Sequence, residues 1–296
     1  MEVSTKIKEL RTDKGWSQEQ MAEKLNVSRQ AITKWETGTG TPDVGNLAAI
    51  AQLFGVSTDE LIFGRATGSA GGAAECDRFE SITSLDLSSK RHYDIKVGCA
   101  HIVTLRATDG EKATVRLASD TISDLERAFK VELDTEGRSF DIDVINTGVV
   151  ADALARKELD VTIELPAALS TGAELELSTD ELRIENVAFD LEVGGQVGNV
   201  WLAGVEAHVE LDVPIDMEVW ADDVRGKLDV NQIGATSTLH IAHDAPFTAA
   251  TRGHLGKRTL RFTRNGEPAE APATENAPLA IELAGARCEL TIDSIA

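Results

Sequence analysis

The sequence contains few cysteines and no long apolar run, and each scarcity excludes a class of protein. Its three cysteines, Cys76, Cys99 and Cys288, are odd in number and widely spaced, which fits neither a disulfide framework nor a zinc-binding pattern. No apolar run approaches the roughly 18 residues that a membrane-spanning helix requires. The first residues, MEVSTKIKELRTDKG, lack the apolar segment of a secretory signal. The sequence therefore predicts a cytoplasmic protein with no membrane partner.

Basic residues are outnumbered by acidic ones, and their distribution decides what this excess means. The 29 basic and 50 acidic residues give a net charge of −21, which argues against a nucleic-acid partner because phosphate contacts need Lys and Arg. Residues 1–65, however, hold eight basic and nine acidic side chains, a net charge of −1, and the remaining residues carry −20. The first 65 residues can therefore present one basic face to DNA while their carboxylates point elsewhere.

Up to Gly64 the apolar residues recur every three or four positions, which is the period of an amphipathic helix. The recurring residues are Ile7 and Leu10, Met21 and Leu25, Ile32 and Trp35, and Leu47, Ile50 and Phe54. Residues that can cap a first helical turn precede the segments, namely Ser17, Ser28, Asp43 and Ser57. This pattern predicts an all-α domain of five helices over residues 1–64. The Gly, Ala and Ser residues that follow predict a flexible linker over 65–76.

In residues 77–296 the apolar residues alternate with polar ones, and turn residues separate the runs, which predicts an all-β domain. Strand-forming runs recur in two interleaved series, Leu175, Leu191, Val209 and Leu228, and Leu182, Val200, Met217 and Leu239. Such a loose repeat, with two strands and two turns in each unit, favours a β-solenoid-like repeat domain. A sandwich of two sheets is an alternative that the strand spacing leaves open.

The segment SQEQMAEKLNVSRQAITKWETG carries the strongest functional signal. It predicts helices over 17–25 and 28–36, joined by a turn at Asn26-Val27. Apolar side chains would fill the angle between the helices, namely Met21, Ala22, Leu25, Val27 and Ile32, with Trp35 as a further core residue. Polar side chains then remain on the outer face of the second helix, namely Arg29, Gln30, Thr33 and Lys34. Such a helix fits the major groove of DNA, where Gln pairs with adenine and Arg or Lys with guanine.

The stretch from KIKELRTDKG to FGVSTDELI resembles the Cro/C1-type (XRE-family) helix-turn-helix over its whole length. Asn26 departs from the commoner Gly of that family, but Asn tolerates the left-handed backbone of a helix end. The resemblance implies that Gln18 touches phosphate and braces the recognition helix. It also implies that five side chains reach base edges and neighbouring phosphates, namely Ser28, Arg29, Gln30, Thr33 and Lys34. The implied partner is a double-stranded DNA operator.

The second domain resembles an adhesin-like β-repeat domain often attached to such modules, on stretches such as DLEVGGQVGNVWLAG. Its many carboxylates alternate with apolar residues and are therefore expected on the solvated face, which predicts no enzyme; they are Glu174, Glu176, Glu181, Glu185, Asp190, Glu192, Glu210 and Asp212. The motif HIAHD is the only close group of metal-ligand types. Because residues three apart in a strand face opposite sides, His240 and His243 are expected to be exposed, with no metal and no cofactor.

These observations predict a sequence-specific transcriptional regulator whose helix 28–36 enters the major groove. The β-domain would form a homodimer, through an end offered by residues 279–296, or would bind an effector. The alternative is a protein-interaction scaffold in which a β-solenoid self-assembles and the helical domain binds protein without specific DNA recognition.

Overall fold

The computed structural model describes residues 7–8, 10–12, 14, 16–25, 27–37, 42, 46, 50, 54, 78–135, 139–253, 256–270 and 277–295. The chain divides into two compact units, Met1–Ala74 and Glu75–Ala296, the first helical and the second almost entirely β. The predicted linker, 65–76, lies outside the described residues, as does Asn26. No helix in the described part of the chain is long and apolar enough to cross a membrane.

Two helices are described in the first unit, α1 (Gln18–Leu25) and α2 (Arg29–Glu36). Ser17 and Gln20 cap α1 reciprocally, since the Ser17 Oγ accepts from the Gln20 N–H at 3.2 Å and the Gln20 Oε1 accepts from the Ser17 N–H at 2.8 Å. Ser28 caps α2 by accepting from the Ala31 N–H at 3.2 Å. Both helices thus begin one residue after the predicted start, because the serines are the caps themselves. Elsewhere in this unit only scattered residues are described, so a count of five helices stays a prediction.

The second unit contains a sheet of fifteen strands in the residues that the structure describes. The strands are β1 Phe79–Asp86, β2 Arg91–Thr108, β3 Lys112–Ser119, β4 Phe129–Asp134, β5 Phe140–Asn146, β6 Asp160–Pro166, β7 Ser170–Glu185, β8 Asp190–Asp212, β9 Glu218–Ile233, β10 Thr236–Ala242, β11 Phe247–Thr251, β12 Arg258–Arg264, β13 Glu267–Pro268, β14 Leu279–Ala286 and β15 Cys288–Ile295. Two short α-helices, α3 (Leu125–Ala128) and α4 (Asp152–Glu158), interrupt them.

The central strands β2, β7, β8 and β9 pair in parallel. This differs from the antiparallel sheets that the sandwich alternative requires. Along these strands alternate side chains are buried in one continuous apolar core, and the intervening ones face outward. The predicted all-β character and the outward placement of the carboxylates are therefore confirmed.

A repeated corner marks successive strands. Glu185, Ala203 and Asp222 lie side by side in register. The residues that follow them, Asn186, Gly204 and Asp223, have φ values of 56°, 63° and 47°. Asn, Gly and Asp are the residue types that adopt this left-handed conformation most readily, so the chain turns at the same point in three neighbouring strands.

The predicted repeat series is partly wrong in register. Leu182 is beside Val200 and Val209 is beside Leu228, as expected. Leu175, however, is beside Val193 rather than Leu191. Likewise the neighbour of Leu239 is Val219 and not Met217. Each error is two residues, because a shift of two leaves every side chain on the same face and keeps the alternation of apolar residues.

The prediction that residues 279–296 offer an end of the sheet is wrong, because the two strands described there lie inside the sheet. Strand β14 lies between β9 and β11, and β15 lies between β10 and β12. An open edge is instead found at β1, which pairs with β3 alone among the described strands. Ile82, in the middle of β1, is 54% exposed.

Candidate nucleic-acid interface

The angle between α1 and α2 is filled by apolar side chains. Met21, Ala22 and Ile32 are buried, and Leu25 and Val27 pack against them from the margin. The Val27 N–H donates to the carbonyl of Ala22 at 3.0 Å, which closes the turn between the helices. Trp35 is buried in the same cluster. These positions confirm the predicted core.

With that side buried, α2 presents an outer face of polar residues to solvent. Ser28, Arg29, Gln30, Thr33 and Lys34 are all exposed. Positions 29, 30, 33 and 34 fall on one side of a helix because one turn takes 3.6 residues. The Arg29 Nε is 3.8 Å from a carboxylate oxygen of Glu19, and both side chains are largely exposed. So exposed a pair contributes little to stability, and Arg29 is free to exchange Glu19 for another anion.

Gln18, the first residue of α1, is held against α2 by two hydrogen bonds. Its Nε2 donates to Glu36 Oε2 at 2.8 Å, and its Oε1 accepts from the Thr33 hydroxyl at 3.1 Å. A carboxamide nitrogen carries two N–H groups, so a second N–H remains for another acceptor. The side chain is thus fixed in position and keeps the capacity to donate one more hydrogen bond.

Glu36 closes the end of α2 through a contact that the sequence pattern did not indicate. Arg11 donates to its two oxygens from Nε at 2.5 Å and from Nη2 at 2.9 Å, and to the Trp16 carbonyl from Nη1 at 2.7 Å. Burial opposes ionisation of Glu36, but the hydrogen bonds from Arg11 and Gln18 and the charge of Arg11 outweigh it. The pKa of Glu36 is therefore lowered. No periodicity links two residues 25 positions apart, so only the tertiary structure reveals this pair.

We expect the Glu36 carboxylate to make the first unit sensitive to acid. Because its folded pKa lies below the ordinary value of 4.5, its stabilising contribution is complete above that value. It is lost as the pH falls through the lowered folded pKa. Chemical denaturation of the full chain, followed by far-UV circular dichroism across an acidic pH series, measures this slope. The Glu36→Gln variant should be less stable at neutral pH and should show a flatter acidic slope; an unchanged slope would contradict the assignment.

The histidines of HIAHD do not behave as a pair. His243 is exposed as expected, but the His240 side chain is only 18% exposed, which corrects the prediction for it. Its Nε2 is 2.7 Å from Glu218 Oε2, and its ring stacks on Trp220 at 5.2 Å between centroids. The parallel register, which places His240 beside Trp220, could not be derived from the local motif.

Two groups of metal-ligand type do converge in the described part of the second unit. They are His92, Asp94 and Glu174, and His208, Glu210 and Asp229. In the second group Lys227 Nζ lies 2.9 Å from Asp229 Oδ2 and 2.8 Å from Glu282 Oε2. Burial opposes ionisation of Asp229, yet the hydrogen bonds from Lys227 and His208 lower its pKa. This group therefore has a cation of its own in Lys227.

The described carboxylates that sequence analysis placed on the outer surface show no buried catalytic pair. Buried acidic residues do occur at Asp229 and Asp293. The Asp293 carboxylate accepts from the Thr263 hydroxyl at 2.6 Å and from the Gly266 N–H at 3.0 Å. Burial of Asp293 opposes its ionisation, but these hydrogen bonds lower its pKa. Both buried carboxylates thus have hydrogen-bond donors within the sheet.

Comparison with known proteins places the first unit in a family. Residues 7–61 match the family model described as helix-turn-helix. The chain is 50% identical over 64 residues to the HTH-type transcriptional activator BcrR of Enterococcus faecalis, covering 22% of this chain and 31% of that protein. It is 42% identical over 59 residues to the SPbeta prophage-derived uncharacterized HTH-type transcriptional regulator YonR of Bacillus subtilis, covering 20% of this chain and 55% of that protein. The match thus spans from a third to about half of these relatives.

Solved structures resemble the chain over a larger part but at lower similarity. A candidate cell adhesion protein from Clostridium sporogenes aligns with 74% of this chain and all of its own, at 9% identity and a TM-score of 0.35. A candidate lipid binding protein from Parabacteroides distasonis aligns with 72% of this chain and 96% of its own, at 9% identity and a TM-score of 0.33. TM-scores this low establish no common fold.

The identity of the first unit therefore rests on three agreeing observations: the buried angle between α1 and α2, the polar outer face of α2 and the family match. Residues 7–61 carry a helix-turn-helix domain of the Cro/C1 type, and a large all-β unit follows them.

Proposed function

We propose that this chain is a DNA-binding transcription regulator that inserts α2 into the major groove of an operator. The observation that carries the proposal is the outer face of α2, where every described side chain is polar and the opposite side is packed in the core. Relatives named as HTH-type transcriptional regulators support it. The acidic excess of the chain does not oppose it, because the first 65 residues are nearly neutral.

The proposed DNA contacts have two roles, recognition of base sequence and positioning of the helix on the phosphate backbone. Arg29 and Gln30, at the amino end of α2, recognise base edges by paired hydrogen bonds. Ser28, Thr33 and Lys34 contact neighbouring bases and phosphates. Gln18 donates its remaining N–H to a phosphate while Glu36 and Thr33 hold it in place, so it positions the helix without carrying sequence information.

Substitutions should separate these two roles. Arg29→Ala and Gln30→Ala are each expected to weaken operator binding by about 1–3 kcal/mol and to relax preference at one base pair, because a paired contact to a base edge is lost. Gln18→Ala should weaken binding to all sequences alike. Titrations of labelled operator and of a scrambled duplex, at one fixed salt concentration, measure both effects.

The matched control is Lys14→Ala, a cation whose side chain is exposed on the same unit but lies outside α1 and α2. It should leave base preference unchanged. Full specific binding by Arg29→Ala would mean that another element enters the groove. If the native chain does not bind an operator, the result would instead favour the alternative of a protein-interaction scaffold.

The second unit, we infer, coils as a β-solenoid and brings two helix-turn-helix domains together in a homodimer. Parallel register, inward-outward alternation and the repeated corner at Asn186, Gly204 and Asp223 support the coil. The open edge of β1 is the proposed dimer contact, since its unpaired N–H and C=O groups can pair with the same strand of a second copy. In an antiparallel arrangement centred on Ile82, that residue meets its own copy, and Arg78 lies opposite Asp86 of the partner. This pairing brings together an apolar pair and two opposite-charge pairs.

A further inference from the structure

Three aromatic rings form a stack on the outer surface of the second unit. Trp201, Trp220 and His240 occupy the same position on β8, β9 and β10, so parallel register places them side by side. The indole centroids are 4.2 Å apart with planes inclined by 6°, and the imidazole continues the stack. Trp201 is 41% exposed. Together the three rings make a contiguous aromatic patch on the strand surface, and such patches mark candidate binding sites.

The stack ends in an uncovered face of Trp201. The next residue in register, on β7, is Arg183, which could cover that face by a cation–π contact. Its guanidinium instead pairs with Glu181 along its own strand at 2.5 Å. A cavity of about 350 Å³ lies at this position, lined by Glu181, Arg183, Glu185, Trp201 and Ala203. One face of the indole therefore borders open space.

The floor beside the stack is low because small residues follow the rings. Ala203 comes two positions after Trp201 on the same face of β8, and Ala242 follows His240 in the same way on β10. A second cavity of about 370 Å³ extends along this floor beside Trp201, Trp220 and His240. Ala203 and Trp201 line both cavities. The two cavities thus form one shelf, with Ala203 as its floor and Trp201 as its wall.

Carboxylates flank this floor on both sides. Ala203 is in register with Glu185 on β7 and with Asp222 on β9, each about 4.8 Å away along the sheet. Glu185 is paired with Arg106 at 2.8 Å. Asp222 has no Lys, Arg or His within ion-pair distance in the residues that the structure describes, although its neighbour Asp223 pairs with Arg225 at 3.3 Å. The shelf therefore joins an open aromatic face to an uncompensated negative charge.

We propose that this shelf binds a planar aromatic cation, which lies over Ala203 against Trp201 and directs its positive charge to Asp222. The aromatic part gains contact with the indole and with the alanine floor, and the cation gains both the ring and the carboxylate. A neutral ring would leave Asp222 uncompensated, and an anion would be repelled by it. The proposal assigns a ligand class to the effector role of the second unit. Binding of the cation is measured without DNA. A failure to bind the cation can therefore be distinguished from a failure of operator recognition.

Two probes that share one ring system and differ in charge test this proposal on the full chain. We expect 1-pyrenemethylammonium to bind about tenfold more tightly than 1-pyrenecarboxylate in equilibrium dialysis, equivalent to about 1.4 kcal/mol. Trp201→Ala should lower the affinity for the cation about tenfold or more. Ala203→Ile, which fills the floor with an outward-facing β-branched residue suited to a strand, should do the same.

Each variant has a matched control. Asp222→Asn should reduce the preference for the cation severalfold, whereas Asp223→Asn, at an adjacent carboxylate that lies outside the shelf, should not. Ala250→Ile, at an exposed alanine on β11, should bind as the native chain does. Equal affinity for both probes, or native affinity in Ala203→Ile, would overturn the proposal. It would also be overturned if sedimentation showed a native dimer that Trp201→Ala dissociates, because the shelf would then be an interface between copies.

Discussion

A chain reduced to residues 1–74 is expected to bind a full operator one or more decades more weakly than the complete chain. One helix-turn-helix covers a half-site, and the family gains affinity by placing two across a pseudo-palindrome. In the proposed dimer the β-unit tethers two helix-turn-helix domains. When one domain has bound its half-site, the tether raises the effective concentration of the other at the second half-site. Half-site binding at low salt should hold or improve in the same fragment. The removed residues carry nearly the whole acidic excess, whose repulsion of DNA is least screened at low salt.

Ile82→Lys in the full chain separates tethering from repulsion. A lysine on the open edge of β1 should oppose strand pairing between copies, so full-site affinity should fall as in the fragment while half-site affinity should not improve. Ile233→Lys is the matched control, because Ile233 is 68% exposed on another strand. Sedimentation of each chain, paired with titrations of full-site and half-site duplexes, measures the effects. A native chain that is monomeric at binding concentrations would refute the dimer and leave the second unit as a sensor.

Trp35→Ala is expected to destabilise the first unit by about 3–5 kcal/mol, because it removes a large buried side chain from a small core. Trp35 packs with Ile32 and Met21 in the cluster that holds α2 against α1. Operator binding should be lost together with the helical signal in far-UV circular dichroism of the full chain. Lys34→Ala is the control, since it alters the exposed neighbour on α2 and should weaken DNA binding without changing the melting temperature. Unchanged stability with lost binding in Trp35→Ala would show that the indole contacts DNA.

The local parts of this structure follow from the sequence, and the long-range parts do not. Ser28 and Trp35 reveal the start and the buried side of α2 because capping and helical period act within a few residues. The pairing of Leu175 with Val193 instead depends on the register between two parallel strands, which joins residues 18 positions apart in the chain. A shift of two residues preserves the alternation of buried side chains, so the pattern could not distinguish Val193 from Leu191.

The aromatic shelf was missed for the same reason. Trp201, Trp220 and His240 are separated by 19 and 20 positions, and no local motif connects them. They become neighbours only when the exact register of three parallel strands is known. The contact between Arg11 and Glu36, which fixes Gln18 beside α2, likewise joins residues that no periodicity relates.

The position of β14 and β15 inside the sheet has a consequence for the order in which the chain is made. Among the described strands, β11 pairs only with β14, and β12 reaches the sheet only through β15. Strands β11 and β12 are synthesised before β14 and β15, with which they pair. During synthesis β11 and β12 are therefore unpaired strand edges. Such edges are prone to aggregate, and strand pairing over long sequence separations is slow. A nascent chain stalled before Leu279 should therefore expose Phe247 and Phe262, which are respectively buried and half-buried in the folded unit, to the chaperones that survey newly made proteins.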